Sequence, residues 1–173
     1  NALTGWTGPE DIRMEFLDHL PTRFPLFILK KPEVLILSPV GNLDILTSLR
    51  GGASHITVIE QNPLIPRIDR KEAAELTGSL FSRADISLRV SHVRSAVDGH
   101  KPVSRYDLIF LPLKDVFGAA STGLYGLGEN YLQTRNAFLS ILSCLRTGGM
   151  VSQGRYLLPP PRRELRALGT WIE

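Results

Sequence analysis

The chain has 173 residues, of which 43% are hydrophobic and 21% are charged, and its formal net charge is +3. This composition excludes global disorder, and the length fits one domain with a sizeable core. The single cysteine, Cys144, excludes an internal disulfide, and no apolar run is long enough to span a bilayer. No signal-peptide pattern opens the chain, which indicates a cytoplasmic domain, and the lack of an initial Met raises the hypothesis of a piece excised from a longer protein.

The N-terminal region is predicted to hold a helix and a loop before the first strand. A Pro-Glu-Asp sequence opens a helix over residues 9–20, and the proline-rich stretch 20–32 is expected to cross the sheet edge as a loop. Short apolar runs then predict buried strands at 33–37, 56–59, 86–90 and 108–111, with the alternating third run nearer a sheet edge. A helix over 43–49 follows the first strand and is ended by Gly51 and Gly52.

The C-terminal region predicts a long amphipathic helix over 131–146 that stops at Gly148 and Gly149 and leads into a fifth strand at 150–152. Cys144 is expected on the buried stripe of this helix as a small apolar residue. A last helix begins after the prolines at 159–161. Strands that alternate with helices predict a parallel sheet. We expect a single α/β domain over 1–173, with an N-terminal helix and loop (1–32), a core (33–155) and a C-terminal helix (156–173).

Ligands of open parallel sheets bind beyond the carboxyl ends of the strands, so the segment after the first strand is the first candidate site. It contains Gly41, and the second strand ends at Glu60, nineteen residues later. A carboxylate at this position could accept hydrogen bonds from the ribose hydroxyls of a nucleoside. The alternative is a surface acid at the end of a strand.

The segment VLILSPVGNLDILTSLRGGASHITVIEQNP resembles the S-adenosylmethionine-binding start of class I methyltransferase-fold proteins. It is most similar to the spermidine-synthase-like (polyamine aminopropyltransferase) family. The segments YDLIF at 106–110, ENYLQT at 129–134 and LRTGGMV at 145–151 also match, so the resemblance runs from about residue 33 to residue 151. The first segment matches the family pattern at Leu43, Asp44, Ile45, Leu46, Gly52, Ala53, Val58, Glu60, Asn62 and Pro63.

The resemblance implies a three-layer Rossmann-like methyltransferase fold with a mainly parallel sheet in the order 3-2-1-4-5. The family's C-terminal antiparallel hairpin is expected to be missing, which would leave the fifth strand at an edge and makes a homodimer a hypothesis. The implied cofactor is S-adenosylmethionine or its decarboxylated form, and the implied substrate is a small amine. The implied cofactor-binding residues are Ser38, Gly41, Asp44, Glu60, His92 and Leu111.

Several positions depart from the family pattern. Ser38, Val40 and Asn42 stand where the family has glycine, and His92 stands where it has an acid for the adenine amino group. Pro112 replaces the aspartate that would deprotonate the acceptor amine. The remaining candidate catalytic residues are Asp115 and Glu129, although Glu129 also fits a helix start without a catalytic role. These departures predict weakened or lost catalysis.

Three functional hypotheses follow from the sequence. The first is a transferase that uses S-adenosylmethionine or its decarboxylated form, and the second is a non-catalytic nucleoside-sensing or protein-interaction module on the same fold. A nicotinamide-dependent dehydrogenase fits less well, because only Gly41 remains of its glycine fingerprint. The histidines lack metal-ligand spacing. The arginines at 155, 162, 163 and 166 lack interleaved aromatics, so they predict a solvated helix face rather than a nucleic-acid site.

Overall fold

The computed structural model describes residues 11–39, 41–71, 74–98, 105–112, 132, 134–155 and 160–172. In these ranges five strands form one parallel sheet in the order β3-β2-β1-β4-β5. The strands are β1 (Glu33–Leu37), β2 (His55–Glu60), β3 (Ile86–Val90), β4 (Tyr106–Leu111) and β5 (Leu145–Gln153). The predicted fold class and strand order are confirmed, with β3 and β5 at the two edges of the described sheet.

The helices lie before β1, between the strands and after β5. They are α1 (Phe24–Ile28), α2 (Leu43–Arg50), α3 (Leu64–Lys71), α4 (Ala74–Thr77), α5 (Val93–Asp98), α6 (Arg135–Ser143) and α7 (Arg162–Ile172). Three 3-10 helices span Ile12–His19, Pro21–Arg23 and Leu80–Ser82. None of the helices in the described ranges combines the length and the apolarity that crossing a membrane requires.

The core has two halves, one on each face of the sheet. In β1, Val34 and Ile36 point to the half built with α2 and the N-terminal segment, whereas Leu35 and Leu37 point to the half built with α5 and α6. Successive side chains of a strand alternate between faces, so a strand covered on both sides must be apolar at every position. This explains the continuous apolar run of β1, all of whose residues after Glu33 are buried.

The loop prediction for residues 20–32 is wrong in part, because this stretch contains Pro21–Arg23 and α1. Pro21 and Pro25 each lie in the first turn of a helical segment. Backbone N–H groups in the first turn donate no hydrogen bond within the helix, so a proline can stand there without breaking one. Leu26 is buried in the first half of the core. The prolines therefore start helices here rather than exclude them.

The predicted boundary between the long helix and the fifth strand is also wrong. Helix α6 ends at Ser143, and β5 already begins at Leu145, so both glycines lie inside the strand. The pairing of β4 with β5 shifts register at this place, and Gly148 has a φ of +81°. Glycine adopts such a conformation without steric cost, so the pair permits an irregular strand instead of ending the helix. Cys144 is buried and free, as predicted.

Asp107 lies at the amino end of β4, where it ties neighbouring strands together. Its Oδ2 accepts a hydrogen bond from the Glu33 backbone N–H at 2.8 Å and another from Arg146 Nη1 at 2.8 Å. Arg146 also pairs with the Glu33 carboxylate at 2.6 Å. These contacts give Asp107 a structural role, at the end of the sheet opposite to the candidate site.

Candidate functional site

The turn from β1 into α2 carries two residues in the left-handed backbone region. Ser38 has a φ of +59° and Gly41 a φ of +70°. Ser38 is only 2% exposed, and its backbone N–H donates to the Ile59 carbonyl oxygen at 2.8 Å, while its Oγ accepts from Gln61 Nε2 at 3.3 Å. A left-handed conformation costs a non-glycine residue about 1 kcal/mol or more, so the bond to β2 helps to hold this geometry.

Glu60 is the last residue of β2 and lies beside this turn. Because Leu37 pairs with Ile59, residues 38 and 60 follow side by side at the carboxyl edge of the sheet. The Glu60 residue is 4% exposed, and its Oε1 accepts a hydrogen bond from the Asn62 backbone N–H at 2.7 Å. This bond fixes the orientation of the carboxylate.

Asp44 lies in the first turn of α2, directly after the same turn. It is 8% exposed, and burial raises the pKa of its carboxyl from 3.8 to about 6. A carboxylate near a helix N-terminus is favoured by the helix dipole, but loss of hydration dominates here. At neutral pH Asp44 is therefore a poorly solvated anion that would gain from a cationic or hydrogen-bond-donating ligand.

A cavity of about 410 Å³ opens next to Asp44, where the ends of β4 and β5 meet the N-terminal segment. Its apolar wall includes the side chains of Leu20, Leu43, Phe110, Leu111 and Pro112, and its two charged residues in the described ranges are Asp44 and Arg155. The Nε of Arg155 is buried and has no hydrogen-bond partner in the described part of the chain. The cavity thus combines an apolar body with one acidic and one basic group.

The structure brings most of the predicted cofactor-binding residues to one edge of the sheet. Ser38, Gly41 and Glu60 lie around the turn, whereas Asp44 and Leu111 line the cavity beside it. His92 is exposed and lies between β3 and α5, with its carbonyl oxygen accepting from the Ala96 N–H at 3.0 Å. The predicted residues Val40, Asp115 and Glu129 lie outside the described residues. In the described ranges, no cluster of His, Cys, Asp and Glu is arranged to hold a metal ion.

Arg155 is the residue whose position the sequence interpretation missed. The sequence groups it with the arginines of the last helix on a solvated face, but it follows β5 and lies before α7 begins. The sequence held one signal for this position, since Arg155 comes only three residues after the predicted fifth strand at 150–152. The carboxyl ends of parallel strands meet at the ligand-binding edge.

No protein-family profile matches the sequence, and no curated protein matches it. Solved structures do match. A spermidine synthase in complex with the transition state analogue AdoDATO has a TM-score of 0.60 and 15% identity, over 91% of this chain and 49% of that one. The spermidine synthase from Thermotoga maritima has a TM-score of 0.58 and 16% identity, over 90% and 47%. The N-methyltransferase NodS from Bradyrhizobium japonicum has a TM-score of 0.56 and 20% identity, over 94% and 83%.

These likenesses define the fold. The chain has a class I S-adenosylmethionine methyltransferase-like fold, with helices on both faces of a parallel sheet in the order 3-2-1-4-5. It spans about half the length of the two spermidine synthases.

Proposed function

We propose that this chain binds an adenosyl compound, S-adenosylmethionine or its decarboxylated form, as a spermidine-synthase-like transferase domain with weakened or lost catalysis. The observation that carries the proposal is the φ of +59° at Ser38. A serine has no intrinsic reason to adopt this conformation, and the resemblance puts a glycine at the same position. A left-handed backbone at position 38 supports a turn that served a ligand when its residue was glycine.

Glu60 is the proposed ribose ligand. Its Oε1 is held by the Asn62 N–H, which leaves Oε2 to accept a hydrogen bond from a ribose hydroxyl. Gly41 leaves open space next to this position, since a Cβ built on it would meet no atom of the described chain within 4 Å. The proposed adenine neighbour is His92, and Asp44 would accept a hydrogen bond from the ligand's ammonium group.

The chemistry of transfer to an amine requires that the acceptor is deprotonated. Pro112 lines the cavity and cannot accept a proton, so the residue that the resemblance assigns to this step is lost. Removal of a general base typically slows a reaction by about 10²- to 10⁴-fold. We expect no measurable turnover of putrescine with decarboxylated S-adenosylmethionine. If turnover occurs and disappears in Asp115→Asn, Asp115 is the base and catalysis has been kept.

A second candidate function is nucleoside sensing without catalysis. It is favoured by the same cavity, in which an apolar ring stands at the position of the expected base while the turn geometry is kept. Binding and turnover separate the two functions. A chain that binds the adenosyl compound but transfers neither a methyl nor an aminopropyl group to any amine tested is a sensor.

Calorimetric titration tests the binding site. The ligands are S-adenosylmethionine, its decarboxylated form and methylthioadenosine, which share the ribose and the adenine. Glu60→Gln should weaken all three by about tenfold or more, because it removes a charged hydrogen bond. Glu15→Gln is the matched control, since it removes the same charge from an exposed position in the first 3-10 helix. Equal affinities for wild type and Glu60→Gln, or no binding of any of the three ligands, would contradict the proposal.

A further inference from the structure

The cavity beside the turn between β1 and α2 is lined by an arginine. The Gly154 backbone N–H donates to the Leu111 carbonyl oxygen at 3.1 Å, so the chain entering Arg155 is anchored to the end of β4. The Arg155 side chain lines the cavity, and its buried Nε has no hydrogen-bond partner in the described residues. The residue as a whole is half-buried, so its side chain presents part of its surface to the cavity.

We propose that this cavity takes a carboxylate, held by Arg155, on a ligand with a small apolar body. A guanidinium presents parallel N–H donors that match the two oxygens of a carboxylate. The surrounding wall of Leu20, Leu43, Phe110 and Leu111 lowers the local dielectric, which strengthens the charge pair and favours an apolar ligand body. The inference goes beyond the proposed function, which assigns no role to Arg155.

Asp44, the other charged residue among the described residues of the cavity wall, limits the choice of ligand. Asp44 also lines the cavity, and its negative charge disfavours an anion with two charges such as inorganic phosphate. Arg155 in turn disfavours a polycationic acceptor, because like charges repel in a poorly solvated space. A ligand with a single carboxylate fits both residues. It could also carry an ammonium group, from which the Asp44 carboxylate would accept a hydrogen bond.

Two sources could supply this carboxylate, namely the amino-acid tail of S-adenosylmethionine or a separate small carboxylate. The first source rests on the proposed function, whereas the second does not. Titration with S-adenosylmethionine and with its decarboxylated form tests the first, because the two differ only in the carboxylate. Chemical-shift titration with 4-methylpentanoate and 4-methylpentylamine tests the second, because these probes share an apolar body and differ in charge.

The variants are Arg155→Gln and, as a matched control, Arg166→Gln, which removes an equal charge from an exposed position of α7. If the adenosyl compound supplies the carboxylate, Arg155→Gln weakens S-adenosylmethionine by about tenfold or more and leaves the decarboxylated form unchanged. If a separate ligand supplies it, 4-methylpentanoate binds more tightly than the amine, and Arg155→Gln abolishes this binding. Arg166→Gln should change neither result.

Three results would overturn the inference. The first is tighter binding of 4-methylpentylamine than of 4-methylpentanoate. The second is displacement of the carboxylate by an equal concentration of inorganic phosphate. The third is that Arg155→Gln binds every ligand tested with the affinity of the wild type.

Two controls accompany these titrations. Circular dichroism shows whether Arg155→Gln is folded, and Arg155→Lys separates loss of charge from loss of the planar donor pair. Methylthioadenosine, which lacks the amino-acid tail, reports separately on the proposed function, so a failure of one proposal is not mistaken for failure of the other.

Discussion

Replacement of Asp44 by asparagine should stabilise the folded chain at neutral pH. The carboxylate is 8% exposed, and burial raises its pKa from 3.8 to about 6. Since one pKa unit corresponds to about 1.4 kcal/mol, the ionised carboxylate lowers the free energy of unfolding by about 3 kcal/mol. A buried asparagine amide retains a desolvation cost of about 1 kcal/mol, so we expect a net gain of about 2 kcal/mol.

The sign of this effect fixes its pH dependence. Between pH 3.8 and about pH 6 the folded state binds more protons at Asp44 than the unfolded state does, so this group lowers stability as the pH rises. Below pH 3.8 both states are protonated and the penalty is absent, whereas above pH 6 it is fully present. The advantage of Asp44→Asn should therefore appear between these values and remain constant at higher pH.

Urea unfolding of wild type and Asp44→Asn at a series of pH values measures this difference. Subtraction of the two curves cancels the other carboxyl groups, because they titrate equally in both proteins. A gain of about 2 kcal/mol corresponds to a rise in Tm of about 4–8 °C for a domain of this size.

Asp85→Asn provides a control of opposite sign. The guanidinium of Arg83, which lies 2.7 Å from the Asp85 carboxylate, holds the pKa of that carboxyl below its usual value. Its contribution to stability is present above the ordinary carboxyl pKa and is lost as the pH falls. Asp85→Asn should therefore destabilise at neutral pH. A difference between wild type and Asp44→Asn that is flat from pH 4 to pH 8, or a loss of stability in Asp44→Asn at pH 7.5, would refute the reasoning.

Substitutions at three further sites test the turn, the strand ends and the second half of the core. At Ser38, glycine should change the urea midpoint little, whereas valine should cost about 1–3 kcal/mol because a β-branched residue is strained at a φ of +59°. Arg146→Gln removes two exposed ion pairs and should lower the urea midpoint only slightly, with no difference from wild type in 1 M salt. Phe138→Ala removes a buried ring stacked on Trp171 at 4.0 Å and should cost about 3–5 kcal/mol, measured by urea unfolding, whereas Leu139→Ala at an exposed position should cost little.

The strands could be predicted from the sequence because apolar runs are a direct consequence of burial on both faces. β1 is predicted over residues 33–37 and found at Glu33–Leu37. Prediction of the strand order required more than hydrophobic periodicity. It depended on the resemblance of the segments around Asp44, Glu60 and Tyr106 to those of a known family. Local sequence fixes which segments are strands, whereas the order depends on how the crossovers pack.

The two boundary errors have a common physical cause. Proline and glycine restrict the backbone in several ways, and tertiary contacts decide which of these is used. Pro25 starts a helix because Leu26 can then be buried. Gly149 fits inside β5 because a Cβ there would lie 3.0 Å from the Arg146 carbonyl oxygen and 3.1 Å from that of Asp107 on β4. The contacts of Leu26 and of the Asp107 carbonyl involve residues that are distant in sequence, so the local pattern does not reveal them.

The residues that replace glycine in the turn between β1 and α2 are among the departures that predict weakened or lost catalysis, and the geometry of Ser38 bears on this prediction. The Ser38 backbone is left-handed and its N–H donates to the Ile59 carbonyl oxygen, so serine carries a conformational strain here that glycine would not. Under the proposed function, Pro112 has a different consequence, because no rearrangement of the backbone makes a proline a base. The proposal therefore expects binding of the adenosyl compound to be less affected than turnover, so the ligand titrations are a stronger test of it than activity assays.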